Sequence, residues 1–350
     1  VIMPLRTSNS SLVRCTTGRY LLVQLSIFLQ MENPRERSRS PGKALPRTHL
    51  AWRKFDSEPA VRELTAEELK QYDDEGFILV RGMYDSQEVK LVLSALEKDA
   101  PVVDEQVMKM KDAGGGVSKC VLWNDAGDDT YGMLARGRRW VHAAAGLIGA
   151  EPYHFHTKLM IKEPFVGGKW AWHQDFGYWY QVGCLNPDRM FSSILAIDKC
   201  TRANGCLQVL KGSHKLGRLE HGTDGEQAGA NMERVNEAMK RFEHVHCEME
   251  PGDVLFTHSN LLHASAPNNS PDWRRVMIVA YNGRDNSPWE DDRNMICPLY
   301  QKISIVDDAA IKRLGSKGLL GSKKGTTLSG RQNGFLDHGQ NVKQFEKGAS

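Results

Sequence analysis

His173 and Asp175 stand two residues apart in the stretch Trp170-Ala171-Trp172-His173-Gln174-Asp175-Phe176-Gly177-Tyr178-Trp179-Tyr180. A neutral imidazole and a carboxylate are two of the three ligands of a facial 2-His-1-carboxylate iron site. The aromatic content of the stretch suits a pleated, half-buried strand. Strand side chains alternate, so His173 and Asp175 would share one face while Trp172, Gln174 and Phe176 take the other. The dipeptide pattern alone is weak, because a surface histidine beside an acid is commoner than a ligand pair. A third ligand must come from a distant segment. Met249 to Asn268 offers His258 and His263. Pro251-Gly252-Asp253 reads as a tight turn, and Val254-Leu255-Phe256 as a short buried strand. Val276 to Tyr281 is a second buried strand, and Arg274 opens it. That arginine would bring a fixed charge and a planar fork, suited to a carboxylate, to the mouth of the site.

The set His173-x-Asp175, His263 and Arg274 resembles the phytanoyl-CoA dioxygenase family of iron(II)/2-oxoglutarate oxygenases. Supporting phrases are Leu64-Thr65-Ala66-Glu67-Glu68-Leu69 with Tyr72, Asp74-Glu75-Gly76-Phe77, Asn204-Gly205-Cys206-Leu207-Gln208-Val209-Leu210-Lys211-Gly212-Ser213-His214, and Pro251-Gly252-Asp253. The similarity runs from about Leu64 to about Asn282. It implies Fe(II) on His173, Asp175 and His263, with 2-oxoglutarate and O2 as co-substrates and ascorbate as a candidate stimulant. His263 is preferred over His258 because its spacing to Ser265 and Arg274 fits the family. His258 also lies an odd number of residues away, so it should face elsewhere. The resemblance further implies that Arg274 binds the distal carboxylate of 2-oxoglutarate and that Ser265 donates a hydrogen bond to it. The reaction implied is hydroxylation of an unactivated C–H bond, with release of succinate and CO2. Arg275, next to Arg274 but on the opposite face, reads as a surface arginine.

Around the metal, Trp172-His173-x-Asp175-Phe176 with Trp179 is similar to the ectoine hydroxylase branch. There the Trp four residues after the Asp contacts substrate. So do residues matching His156 and Lys158, where that branch carries Gln and Arg. The aromatic residue expected four places after Arg274 is Ile278. The expected substrate is therefore a small polar molecule other than ectoine, held by Trp179, His156 and Lys158. An acyl-CoA or lipid substrate is the alternative, although no strongly basic patch for CoA phosphates stands outside the chain ends. A non-enzymatic jelly-roll binding module is the rival from another class, as is a cupin-like metal enzyme without 2-oxoglutarate. The presence of all four of His173, Asp175, His263 and Arg274 argues against both.

The elements that must position these residues are mostly strands. Tyr153–Ile161, Phe191–Ile197 and Cys206–Leu210 read as strands, with His154, His156 and Lys158 on one face of the first. Many short strands with turn signals predict a mainly β fold with flanking helices, a double-stranded β-helix or jelly roll of the cupin type. Helices are expected from the Thr65/Glu68 capping box to Gly76, from a Ser86 cap, and over Trp140–Ile148. Met108–Ser118, with Gly114-Gly115-Gly116, reads as a flexible loop. Glu226–Phe242 reads as a polar helical insertion, with His221, His244 and His246 on the surface.

The 350 residues suffice for one large domain, expected over 61–305. Net charge is only +3, so nothing global calls for nucleic acid. Seven scattered cysteines form no disulfide framework, which favours a reducing compartment. No apolar run is long enough to span a bilayer. Residues 1–60 are arginine-rich, and their first acid is Glu32. They read as a disordered arm: a transit peptide or, slightly favoured, sequence upstream of the natural start. The expected location is cytoplasmic, or an organelle if the start is a transit peptide. Residues 306–350 are expected to form a loose tail. The partner expected is a small-molecule substrate; the sequence leaves the oligomeric state open.

Overall fold

A computed structural model describes residues 60, 62–224, 227–288 and 298–319. The expected N-terminal arm lies outside the described residues, apart from residue 60. Helix α1 (Ala66–Glu75) starts at the Thr65–Glu68 capping box and stops at Gly76, whose φ of 81° is the left-handed C-cap. Helix α2 (Ser86–Gln106) is capped by Asp85, one residue before the expected Ser86; its carboxylate accepts from the N–H groups of Gln87 and Glu88. Helices α3 (Thr130–Ala135) and α4 (Arg138–Ile148) follow.

Among the described residues, eleven strands make two facing sheets. They are β1 (Phe77–Val80), β2 (Met108–Lys111), β3 (Val117–Trp123), β4 (Pro152–Lys162), β5 (Trp170–His173), β6 (Met190–Ala196), β7 (Leu207–Leu210), β10 (His244–Cys247), β11 (Val254–His258), β12 (His263–Ser265) and β13 (Arg274–Gly283). Between β7 and β10 lie a small hairpin, β8 (His221–Asp224) with β9 (Gln227–Ala230), and a helix over Met232–Met239. The larger sheet has the order β1-β11-β6-β13-β4-β3-β2, the smaller β10-β7-β12-β5. All these pairings are antiparallel. Along the chain the central four strands of the large sheet and the four of the small one alternate, except that β7 and β10 follow one another in the small sheet. That is the double-stranded β-helix expected.

The large sheet is buried on both faces. Leu159, Ile161, Leu195, Met277 and Val279 join the helix-side core with Val92, Leu96, Trp140 and Leu147. Met160, Ile194, Ala196 and Val276 alternate with them and face the space between the sheets, with Val209, Leu255 and Leu261. Arg139 in α4 anchors the helix side, pairing with the buried Glu88 at 2.8 Å and with Asp308 at 3.2 Å.

Two expectations change here. Met108–Ser118 is not a loop: β2 and β3 pair as a hairpin, and only the Asp112–Gly116 turn carries the glycine-rich segment. The tail does not begin at 306. Val306 bridges Gly137, and Ile311 and Leu319 are buried in the helix-side core. These residues are too far apart in sequence to show a helical or strand period. Five cysteines among the described residues, Cys120, Cys184, Cys200, Cys206 and Cys247, are free and buried, as the absence of a disulfide framework requires.

Candidate metal centre

The ligand atoms of His173, Asp175 and His263 lie within 4.8 Å of one another, and all three residues are buried. Strand pairing does most of the work. His173 ends β5 and stands directly across from His263, the first residue of β12. Their rings are 4.1 Å apart between centroids. Asp175 arrives differently from the expected continuous strand. The strand stops at His173, Gln174 is a single extended residue at φ −115° and ψ 132°, and Asp175 opens a short helix, Asp175–Trp179. One extended residue is enough to keep His173 and Asp175 on one side. Asp175 Oδ1 is 3.7 Å from His173 Nε2 and 4.0 Å from His263 Nε2.

Hydrogen bonding assigns the roles of the ring nitrogens. His173 Nδ1 lies 2.8 Å from the Ala171 carbonyl, and His263 Nδ1 lies 2.9 Å from the Leu261 carbonyl. Each Nδ1–H donates to backbone, which leaves each Nε2 lone pair turned to the shared space. Asp175 Oδ2 accepts from Ser192 Oγ at 2.5 Å, so Oδ1 is the oxygen left for a cation. Burial would raise the Asp175 pKa, but Lys158 at 3.8 Å and the two imidazoles outweigh it and hold the carboxyl well below its ordinary range. Burial, then His173, pushes His263 down to about 3. Neutral imidazoles and an ionised carboxylate are the donor set that a divalent transition metal takes, with open positions left for other ligands.

Arg274 and Ser265 meet at one end of the interior. Arg274 pairs across the sheet with Lys162. The Lys162 ammonium, wholly buried, donates to Ser265 Oγ at 2.7 Å and to the Ala266 carbonyl. Arg274 Nε is buried without a hydrogen-bond partner. Burial, then the neighbouring Arg274, holds the Lys162 pKa well below its ordinary value. An anion seated there would relieve both costs. Gly167 covers Lys162 closely: a Cβ there would sit 2.5 Å from the Lys162 Cβ. Sequence reasoning missed Lys162. The signal was available, because Lys162 continues the alternate-residue row of His156 and Lys158 along β4.

His154 leaves that row. The β4–β13 register shifts between Ala280 and Tyr281, so His156 pairs with Ala280 but His154 with Tyr281. The bulge turns His154 to the helix side, where it meets the Tyr281 ring and bonds Thr157. His156 stays inside, 5.8 Å from the Trp179 ring, and both its ring nitrogens are buried without partners. Burial, then Lys158, keeps it neutral, its pKa well below the ordinary histidine value. Trp179 lies one helical turn after Asp175, so helical rather than strand spacing puts the two on one side. Tyr178 has its ring 5.7 Å from His173 and donates its hydroxyl to the Ala228 carbonyl.

The other histidines sort cleanly. His258 lies outside the cluster, with Nε2 3.2 Å from Asp188 and its ring against Tyr72 and His214. His244 is exposed beside Trp172, and His246 is half-buried. His221 is not on the surface. It is buried behind the metal-binding turn, where its Nε2 accepts from the Gln174 N–H at 2.9 Å. Its surroundings of Glu220, Gly222 and Asp224 gave it a polar sequence context that hid this. Arg275 points away from Arg274, but it is half-buried and clasps Asp198 through Nε and Nη2 at 2.7 Å each.

Known proteins share this arrangement of strands. The chain is 24% identical over 251 residues to an ectoine dioxygenase of Bordetella parapertussis, covering 64% of this chain and 77% of that one. It is 25% identical over 184 residues to an L-proline trans-4-hydroxylase of Streptomyces griseoviridis, 46% of this chain and 66% of that one. The crystal structure of EctD from S. alaskensis with 2-oxoglutarate and 5-hydroxyectoine has the same fold, with a TM-score of 0.57 at 22% identity, covering 71% of this chain and 90% of that one. The sequence profile of the phytanoyl-CoA dioxygenase (PhyH) family matches residues 72–276, more than half of the chain and all of the triad. On that match, the chain belongs to the phytanoyl-CoA dioxygenase family.

Proposed function

We propose that the protein is an iron(II)/2-oxoglutarate-dependent dioxygenase that hydroxylates an unactivated C–H bond of a small polar metabolite. One observation carries the reading. The only His/Cys/Asp/Glu cluster of metal-binding geometry among the described residues, His173–Asp175–His263, shares a barrel interior with a second buried site, the Arg274 guanidinium beside Lys162. A cofactor that is itself a dicarboxylate matches that pairing.

Bound iron, with O2 and 2-oxoglutarate, supplies the oxidising power: the 2-oxo acid becomes succinate and CO2, and one oxygen atom goes to the substrate. The chain's own residues do the rest. Arg274 binds the distal carboxylate with its fork. Ser265 Oγ accepts from Lys162, so its own O–H remains to donate to the same carboxylate. Lys162 holds Ser265 in place behind it. The two imidazoles and Asp175 would hold the metal, and the apolar side chains between the sheets keep bulk water away.

For the substrate, the supporting observation is the group Trp179, His156 and Lys158 beside Asp175. An indole face attracts a cationic centre by about 0.5–2 kcal/mol. Lys158 attracts a carboxylate. Unpartnered and neutral, His156 can donate one hydrogen bond and accept another. A zwitterionic metabolite meets all three. Ectoine dioxygenase and L-proline trans-4-hydroxylase, by their names, act on small molecules of that character.

The test is coupling. Trp179→Ala is expected to leave substrate-independent decarboxylation of 2-oxoglutarate largely intact and to abolish its stimulation by substrate, both followed as CO2 release. A variant that loses both activities together with its melting temperature would make Trp179 a packing residue. One that keeps full coupling would remove it from the substrate site.

A further inference from the structure

The hairpin β8–β9 belongs to neither barrel sheet. It lies against β5, the edge strand of the smaller sheet, and takes the place of a fifth strand there through side chains. Gln227 Oε1 accepts from the Ala171 N–H at 2.9 Å, and Gln227 Nε2 donates to the Lys169 carbonyl at 2.9 Å. Tyr178, three residues after Asp175, donates its hydroxyl to the hairpin's Ala228 carbonyl at 2.6 Å.

The fourth contact falls between the two ligands. Beyond His173 the chain leaves the β5–β12 ladder, so the Gln174 N–H has no strand partner. His221 supplies one with Nε2 at 2.9 Å, while its Nδ1–H donates to the Leu219 carbonyl at 2.9 Å. The imidazole is pressed against Gly177: a Cβ at that position would sit 2.2–2.4 Å from three of its ring atoms. The Gln174 side chain is pinned as well, donating to the carbonyls of Gly217 and Asn260 and accepting from the Leu219 N–H. Every hydrogen-bonding group named here on Gln174 is thus held by segments outside β5.

We propose that the pair of strands β8 and β9 is a clamp that sets the spread between the metal-binding side chains of His173 and Asp175, with His221 as its positioning residue. This rests on the metal site of the proposed function. The reasoning is mechanical. Asp175 reaches the site only because Gln174 is extended, and a buried N–H that loses its acceptor will drag the backbone toward another. A one-residue connection has no slack, so any rotation at Gln174 moves the carboxylate relative to the imidazole. Loss of an outer partner of a ligand typically costs 10–100-fold in metal affinity.

The experiment is a titration of the full chain with Co(II), read from its visible spectrum, which depends on ligand geometry. His221→Phe keeps a ring but removes the acceptor, and is expected to weaken Co(II) binding about 10–100-fold and to change the band shape. His221→Gln keeps a carbonyl that can accept from Gln174 and should recover most of the affinity. Gly177→Ala pushes the imidazole off from the other side and should weaken binding in the same direction. Thermal melting identifies which variants are folded. A folded His221→Phe with wild-type affinity and spectrum overturns the clamp, as does His221→Gln that is no better than His221→Phe. Should His221→Phe fail to fold, Gly177→Ala decides: wild-type Co(II) affinity in it overturns the clamp. A wild-type protein that binds no Co(II) overturns the proposed metal site itself, and the clamp with it.

Discussion

His263→Ala is expected to abolish 2-oxoglutarate turnover, by far more than 100-fold, while His258→Ala keeps most of it. The two residues are five apart and were the rivals for the third ligand position. Their surroundings in the fold differ completely. His263 sits opposite His173 in the ladder, with Nδ1 tied to backbone and Nε2 free. His258 sits at the end of β11, its Nε2 facing the carboxylate of Asp188 and its Nδ1 accepting from the Asn260 N–H. Both of its nitrogens are engaged with protein groups. Removing an outer partner of a ligand costs 10–100-fold, so removing the ligand must cost more. Succinate release checks both variants side by side, with bound iron measured on each. The reverse pattern, with His258→Ala dead and His263→Ala active, would overturn the assignment.

Arg274→Lys is expected to raise the 2-oxoglutarate concentration needed for half-maximal turnover about 10- to 150-fold, with iron binding unchanged. The charge survives, but the fork and at least one charge-assisted hydrogen bond do not. Such a bond is worth about 1.5–3 kcal/mol, and each 1.4 kcal/mol is tenfold. A lysine at 274 would also stand beside Lys162, its cross-strand partner, so the variant carries two ammonium groups and no fork. Titration of 2-oxoglutarate at saturating iron measures the shift. An unchanged requirement would mean that the carboxylate is bound elsewhere.

Much of this site was legible in the sequence because a family resemblance singled out its residues and strand periodicity agreed with their placement. His263, Ser265 and Arg274 sit at strand ends that apolar runs and the Pro251-Gly252-Asp253 turn announce. Alternation along β4 put His154, His156 and Lys158 on one face, and the resemblance singled out His156 and Lys158. What escaped reading lies where the period breaks. The segment after His173 is aromatic enough to pass for strand, yet it turns helical at Asp175, and only the Gly177 backbone lets the His221 ring approach so closely. The bulge at the Ala280/Tyr281 register sends His154 to the helix side, and no residue type marks it. Lys162 was lost for a different reason: a lysine reads as exposed, and its burial depends on Arg274, Ser265 and Gly167 meeting from three distant segments. His221 was lost the same way, beside a polar insertion and with its hydrogen-bond partner Gln174 47 residues upstream.

The most direct test of the account is succinate formation by the wild-type protein, with small-molecule extract as the source of substrate. Succinate is expected above a low basal rate when iron(II), 2-oxoglutarate and extract are all present, with a return to that basal rate or below when any one is withheld. Succinate that forms without iron, or no succinate at all from folded protein that has bound iron, would contradict it.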